Sequence, residues 1–312
     1  MKKKALLMGA LFLCLLFPFS TSAFAYSQIV AFGDSLSDNG GADGHGFVRS
    51  TDPDGLVWVD YLAQDLGVGL LDMAYGGART DYHPSTNSET LGLGWQIDQY
   101  LNMTDSGGSD KLYTIWIGGN DLLSTLPPPL AEGNSPYSVI PNAAINIGHA
   151  IDALSAVGAT DIVLMNMPNL GATPLLNWSD DMSEYGEKLS KGFNCSLAIT
   201  QAIMEWYLPD LNLFSVDIFA LMNEFISGDD FYFDNTTDML ETLYDEYEYD
   251  ESELAEMKYL FWDAIHPTTY AHGLIADAVY SQVAPVPEPS TIVLMGLGLV
   301  GLAGLGRKKF RK

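Results

Sequence analysis

Asp263 and His266 stand three residues apart in Asp263-Ala264-Ile265-His266-Pro267. Residues so spaced can share one short turn. The carboxylate can then hold one ring nitrogen and leave the other free to act as a base. A base needs a nucleophile, and Ser35 in Gly33-Asp34-Ser35-Leu36-Ser37-Asp38 is a candidate. A serine at a strand-to-helix turn can project its hydroxyl into a cleft, and the helix amides beyond it can stabilise a developing anion. In Ala74-Tyr75-Gly76-Gly77-Ala78 the paired glycines let backbone amides approach a ligand with no side chain in the way. In Gly118-Gly119-Asn120-Asp121, Asn120 offers a side-chain amide donor. Each segment alone is also an ordinary turn or a helix cap. In this order they supply a nucleophile, candidate anion donors, a base and its orienting acid, which are the parts acyl transfer needs. The other histidines, His45, His83, His149 and His272, have no carboxylate in this arrangement at a helix start. His149 and His272 fall within predicted helices, as surface or core residues.

These segments must be carried by elements that bring them together. Apolar runs predict strands at 28–32, 70–73, 111–117, 161–165 and 211–216. Amphipathic stretches predict helices at 57–66, 138–157, 182–206, 218–226 and 267–283, the last with proline in its first turn. Strands alternating with helices imply a parallel sheet covered on both faces. The expected class is therefore α/β, a three-layer α/β/α sandwich of flavodoxin-like form with about five parallel strands. Sites in such sheets lie beyond the carboxyl ends of the strands, where the Ser35, Gly77 and Asn120 segments fall.

The four segments, in this order and spanning Gly33 to His266, resemble the sequence blocks of the SGNH, or GDSL, hydrolase family. The resemblance implies Ser35 as nucleophile and first oxyanion amide, Gly77 as second backbone donor and Asn120 as side-chain donor. It implies His266 as base and Asp263 as its orienter. Gly76 competes with Gly77, which is preferred because it directly precedes Ala78-Arg79-Thr80, where the family places its oxyanion glycine. Asp72-Met73-Ala74 departs from the Asn-Tyr-Ala or Asn-Phe-Ala of many members, which bears on local cleft packing. The implied reaction is hydrolysis of carboxylic esters, with no cofactor and no metal. Two other readings remain: a carbohydrate O-deacetylase acting on exopolysaccharide, and a noncatalytic surface or matrix-binding protein. The intact set of five residues argues against the last.

The ends read as addresses. Lys2, Lys3 and Lys4, an apolar run and Ala23-Phe24-Ala25 make residues 1–25 a secretory signal peptide. Val286-Pro287-Glu288-Pro289-Ser290, an apolar run and a basic cluster from Arg307 to Lys312 resemble a PEP-CTERM sorting signal at 284–312. That leaves residues 26–283 as the hydrolase domain. The resemblance implies a transmembrane segment in the tail, transient membrane association, and signal peptidase and an exosortase-type enzyme as processing partners. It places the protein in the envelope, surface or matrix of a Gram-negative bacterium.

Of 312 residues, 47% are hydrophobic and 12% aromatic, ample for a packed core and against a disordered chain. Eight of 14 basic residues sit in the two ends, so residues 26–286 carry six basic against 39 acidic residues, a net of −33. So acidic a body excludes nucleic acid and disfavours strongly anionic substrates and anionic lipid. The substrate implied by the resemblance is a small-molecule or glycan ester. With Cys14 in the leader, Cys195 alone remains and can form no intramolecular disulfide; it is expected to be half-buried and inert. The acidic stretch 229–256, whose spacing does not fit an EF-hand loop, is expected to be a solvated face or lid that gates access to the cleft.

Overall fold

Burial on both faces is what the central strands were selected for. In β1 (Gln28–Gly33) every residue after Gln28 is buried, and in β3 (Lys111–Trp116) all six are. The computed structural model describes residues 26–40, 56–81, 91–127, 130–228, 232–243 and 257–284. With β2 (Gly69–Asp72), β4 (Asp161–Met165) and β5 (Asn212–Val216), these strands form a five-stranded parallel sheet in the order β2-β1-β3-β4-β5. The edge strands β2 and β5 are only partly buried, as edges are.

Helices cover both faces. Side chains alternate along each strand, so Val30 and Phe32 of β1 face one layer and Ile29 and Ala31 the other. The first layer is α2 (Leu93–Leu101), α4 (Pro136–Ala156) and α5 (Asp180–Tyr207), which bury Ile97, Ile147 and Phe193 against the sheet. The second is α1 (Trp58–Leu66), α6 (Ile218–Ser227) and α7 (Thr269–Val283), which bury Leu62, Met222 and Ile275. Ser179 caps α5 by accepting from the Met182 N–H at 3.3 Å, and Asp217 caps α6 by accepting from Ala220 at 3.0 Å. Residues Tyr26–Val283 form one compact unit.

The five predicted strands and their order class are present within a residue or two. Two helix starts differ. Helix α4 begins at Pro136, two residues before the expected Ser138, because proline fits the first turn, where its missing N–H costs nothing. Helix α7 begins at Thr269, not at Pro267. Pro267 instead pairs with Phe261, the Thr268 N–H donates to Leu260 O at 3.0 Å, and Thr268 Oγ1 accepts from the Ala271 N–H at 3.3 Å. Backbone drawn out beside a strand cannot also be helical, and Thr268 takes the capping role. That strand is β7 (Tyr259–Phe261), which with β6 (Asn235–Met239) makes a small parallel pair that the sequence reading missed, as it missed α2 and the short α3 (Gly119–Leu123). Cys195 is exposed rather than half-buried. It lies on α5 two residues from buried Phe193 and Leu197, roughly on the opposite side of the helix.

Both terminal segments, His45, His83 and most of the acidic stretch lie outside the described residues. Among the described residues, no helix is long and apolar enough to cross a membrane.

Candidate active site

The strand order reverses between β1 and β3: from β1 the chain passes outward to β2, then returns past it to β3. At such a switch point adjacent connections diverge and leave a crevice at the carboxyl ends. The last residues of the two strands, Gly33 and Trp116, are paired in register there. A Cβ on Gly33 would lie 2.5 Å from Trp116 O, so only glycine lets the strands stay this close at the point where the Ser35 turn begins. Ser35 follows two residues after β1, and Asn120 four residues after β3.

His266 reaches the same crevice from the loop between β7 and α7. Ser35 Oγ lies 2.8 Å from His266 Nε2, and His266 Nδ1 lies 2.7 Å from Asp263 Oδ2. A carboxylate on Nδ1 fixes the ring proton there and leaves Nε2 to accept from the serine hydroxyl. The other carboxylate oxygen, Oδ1, accepts from the His266 and Ile265 N–H groups at 2.7 and 2.8 Å. Burial works against ionisation of Asp263, but the bonds from the His266 ring and these amides outweigh it and hold the pKa below the usual range. The three residues spread over 231 positions of chain thus form one hydrogen-bonded relay.

The candidate anion donors lie on two neighbouring loops, with Asn120 lining the same crevice as Ser35. Asn120 Nδ2 donates to Ala78 O at 3.0 Å, which ties it to the paired-glycine loop and leaves its second amide hydrogen for a ligand. The two glycines differ. The Gly76 N–H donates to Asp38 Oδ2 at 2.7 Å and is occupied. Gly77, at φ +76°, adopts the left-handed conformation that glycine favours. Among the described residues, neither the Gly77 nor the Ser35 N–H makes a hydrogen bond.

Several residues that hold these loops were not foreseen. Gln96, fully buried on α2, accepts from the Gly33 N–H at 3.0 Å and donates to Gly33 O at 2.8 Å. Asp38 accepts from Gly40 as well as Gly76, so it joins the serine loop to the glycine loop. Asp121 accepts from the Thr80 N–H and hydroxyl at 3.0 and 2.8 Å, and burial pushes its pKa up to about 6. Asp72, the departure at the end of β2, is buried and accepts from the Asn39 and Ala74 amides at 2.7 and 2.9 Å. Its oxygens therefore serve two loops, and burial raises its pKa well above the usual range. Asp38 and Asp121 lie inside segments already singled out, so acidic residues flanking a candidate nucleophile or donor were the available signal. Gln96 gave none. His149 is exposed and His272 fully buried; burial lowers the His272 pKa to about 3, so its ring stays neutral.

Asp34 is the most perturbed acid on the crevice wall. Burial pushes its pKa up to about 7, opposed by the Leu36 amide and the charge of His266 and reinforced by Asp121. The unfolded carboxyl loses its proton near 3.8 and the folded one near 7, so between these values the native state holds the extra proton. Stability contributed at this site therefore falls as pH rises through that window. Asp34→Asn is expected to gain in Tm over the parent from about pH 4 to about 7 and to hold that gain above it. Thermal melts across the range check this, and a difference that is flat with pH would place the ionisation elsewhere.

Among the described residues, no cluster of three His, Cys, Asp or Glu could hold a metal ion. A three-layer α/β/α sandwich with a Ser–His–Asp relay at its switch point defines the serine-hydrolase class. Within that class, the chain belongs to the GDSL-like lipase/acylhydrolase family, whose model matches residues 29–279. A PEP-CTERM protein-sorting motif matches residues 285–308. The chain is 28% identical over 163 residues to Lipase 1 of Photorhabdus luminescens, covering 49% of this chain and 24% of that one. It is 24% identical over 275 residues to the thermolabile hemolysin of Vibrio parahaemolyticus, covering 80% and 62%. The chain thus spans less than two thirds of either relative. Among solved structures it is similar to Axe2, an acetylxylan esterase from Geobacillus stearothermophilus, with 17% identity, a TM-score of 0.48 and coverage of 83% and 95%.

Proposed function

We propose that the protein is an exported serine ester hydrolase that cleaves carboxylic esters through an acyl-enzyme on Ser35. The observation that carries this reading is the unbroken relay from Ser35 through His266 to Asp263, at 2.8 and 2.7 Å. His266 Nε2 takes the Ser35 proton as Oγ attacks the ester carbonyl. The oxyanion that forms is met by the Ser35 and Gly77 amides and the second amide hydrogen of Asn120. The imidazolium is stabilised by Asp263 and returns its proton to the alcohol as the carbon–oxygen bond breaks. Water then enters, gives a proton to Nε2 and attacks the acyl carbonyl; as the acyl–Oγ bond breaks, Nε2 passes that proton to Ser35 Oγ and the acid leaves. No step calls for a cofactor.

Residues 1–25 are assigned to a signal peptide, 26–283 to the hydrolase domain and 284–312 to the sorting signal. The PEP-CTERM match supports the last of these and, with it, export and processing by an exosortase-type enzyme.

The test is hydrolysis of nitrophenyl acetate, butyrate, octanoate and palmitate by the full-length chain, beside a Ser35→Ala control. Turnover that depends on Ser35 supports the reading; well-folded protein inert on every ester counts against it. Asn120→Ala is expected to lower kcat by about 10²- to 10³-fold while the melting curve stays close to the parent's, since one oxyanion donor is lost. Steady-state kinetics on butyrate measure it, and a change confined to KM would remove Asn120 from the oxyanion site.

A further inference from the structure

The crevice does not end at Ser35 and His266. It continues as a narrow recess between the carboxyl ends of β3 and β4, α6 and β7, part of it open to solvent. Its inner wall is Trp116, Met167, Ile218, Met222, Phe261 and Ile265. Three of the polar groups nearby are already engaged. Trp116 Nε1 donates to Asn166 O at 3.2 Å, and the Thr173 hydroxyl donates to Leu170 O at 2.7 Å. Asp34 Oδ1 accepts from the Leu36 N–H at 3.1 Å.

A sugar placed in this recess would set its hydroxyls against thioethers, alkyl groups and rings. Each unpaired hydroxyl would lose its water with nothing in return. An alkyl chain has no such groups to strand. The departing alcohol must also stay within reach of His266 Nε2 to receive its proton and then leave, whereas the acyl group remains on Ser35 until water arrives. The wall that must retain a group between the two half-reactions therefore suits the acyl side.

We propose that this recess holds the acyl chain, that it favours acyl groups longer than acetyl, and that Met222 and Met167 set the length it accepts. The inference rests on the ester-hydrolase reading and names its substrate class as esters of apolar acids. Met222, at the first turns of α6, and Met167, just past β4, are nearly fully buried yet line the recess. Methionine is unbranched and adaptable, so the two side chains can mould to chains of different length.

The same nitrophenyl series tests it, with the parent, Met222→Ala and Met222→Phe. Burial of each methylene is worth about fourfold in kcat/KM, so the parent should prefer butyrate to acetate by about 15-fold. Met222→Ala should raise the octanoate-to-acetate ratio of kcat/KM and Met222→Phe should lower it. These are ratios within one preparation, so partial misfolding of a variant cancels. A second arm holds the acyl group at butyryl and varies the alcohol among methyl, butyl and hexyl; its profile should not move. A parent that is best on acetate, or variants that shift the alcohol profile in place of the acyl profile, would overturn the inference while Ser35-dependent turnover upheld the hydrolase reading. Absence of turnover on every ester would remove both.

Discussion

Ser35→Ala is expected to lower kcat on any ester substrate by on the order of 10⁶-fold, and His266→Ala by a similar factor. The double variant should lose little more than either single one. Ser35 Oγ and His266 Nε2 share one proton across 2.8 Å, so either deletion ends the same step. The serine hydroxyl is hardly nucleophilic at its ordinary pKa, and without the hydroxyl the imidazole has no proton to take. The residue of rate comes from the oxyanion donors and from binding alone. Because Ser35 sits on a turn after β1, Ser35→Ala should melt close to the parent. Single-turnover kinetics with an acyl-accumulation burst in the parent, absent in the variants, is the measurement. A loss under tenfold for either single variant would mean that another group does the chemistry.

Asp263→Asn carries the next largest effect, about 10⁴-fold in kcat. The change is small in shape and keeps one oxygen for the His266 and Ile265 amides. What it alters is the proton on the ring. The carboxylate accepts from Nδ1–H, whereas the new side-chain amide can donate to Nδ1 and leave the hydrogen on Nε2. In that tautomer Nε2 cannot accept from Ser35. Structure should be retained, with a melting point near the parent's and kcat collapsed. Asp263→Ala should be less stable as well, since the two loop amides lose their acceptor. The pKa of Asp263 is held below the ordinary range, so its protonation does not set the acid limb of the parent's rate profile. If Asp263→Asn kept near-parental kcat, the orienting role would belong elsewhere.

What could be read in advance follows the range over which each signal acts. Strands β1 and β3 were legible because burial on both faces demands unbroken apolar runs, which one sequence displays. Asp263 and His266 were legible because their contact is made within one turn of chain. Ser35 and Asn120 needed more: each becomes part of a site only because the strand order reverses between β1 and β3. The choice of Gly77 over Gly76 rested on resemblance, and the structure adds a physical ground for it, since Asp38 occupies the Gly76 amide. Helix α2 escaped because Leu93, Ile97 and Tyr100 are interleaved with polar residues over only nine positions, and the Gln96 that clamps Gly33 looks like any surface amide. The pair β6–β7 is short and joins residues some twenty positions apart, where local pattern carries no pairing information. Cys195 was misplaced because helix phase, not residue type, decided its side.

The wide separation of the relay's members also bears on how the protein comes into being. A chain made from its N-terminus offers Ser35 early, while His266 follows 231 residues later. The buried contact from the Trp58 N–H to the His272 ring, at 3.3 Å, likewise joins the beginning of the domain to its last helix. An unfinished chain holds a serine without a base. The Ser35–His266–Asp263 relay thus arises only when the domain is complete and closed upon itself. Through almost the whole of synthesis the nascent chain therefore carries the serine without the histidine that faces it in the finished fold.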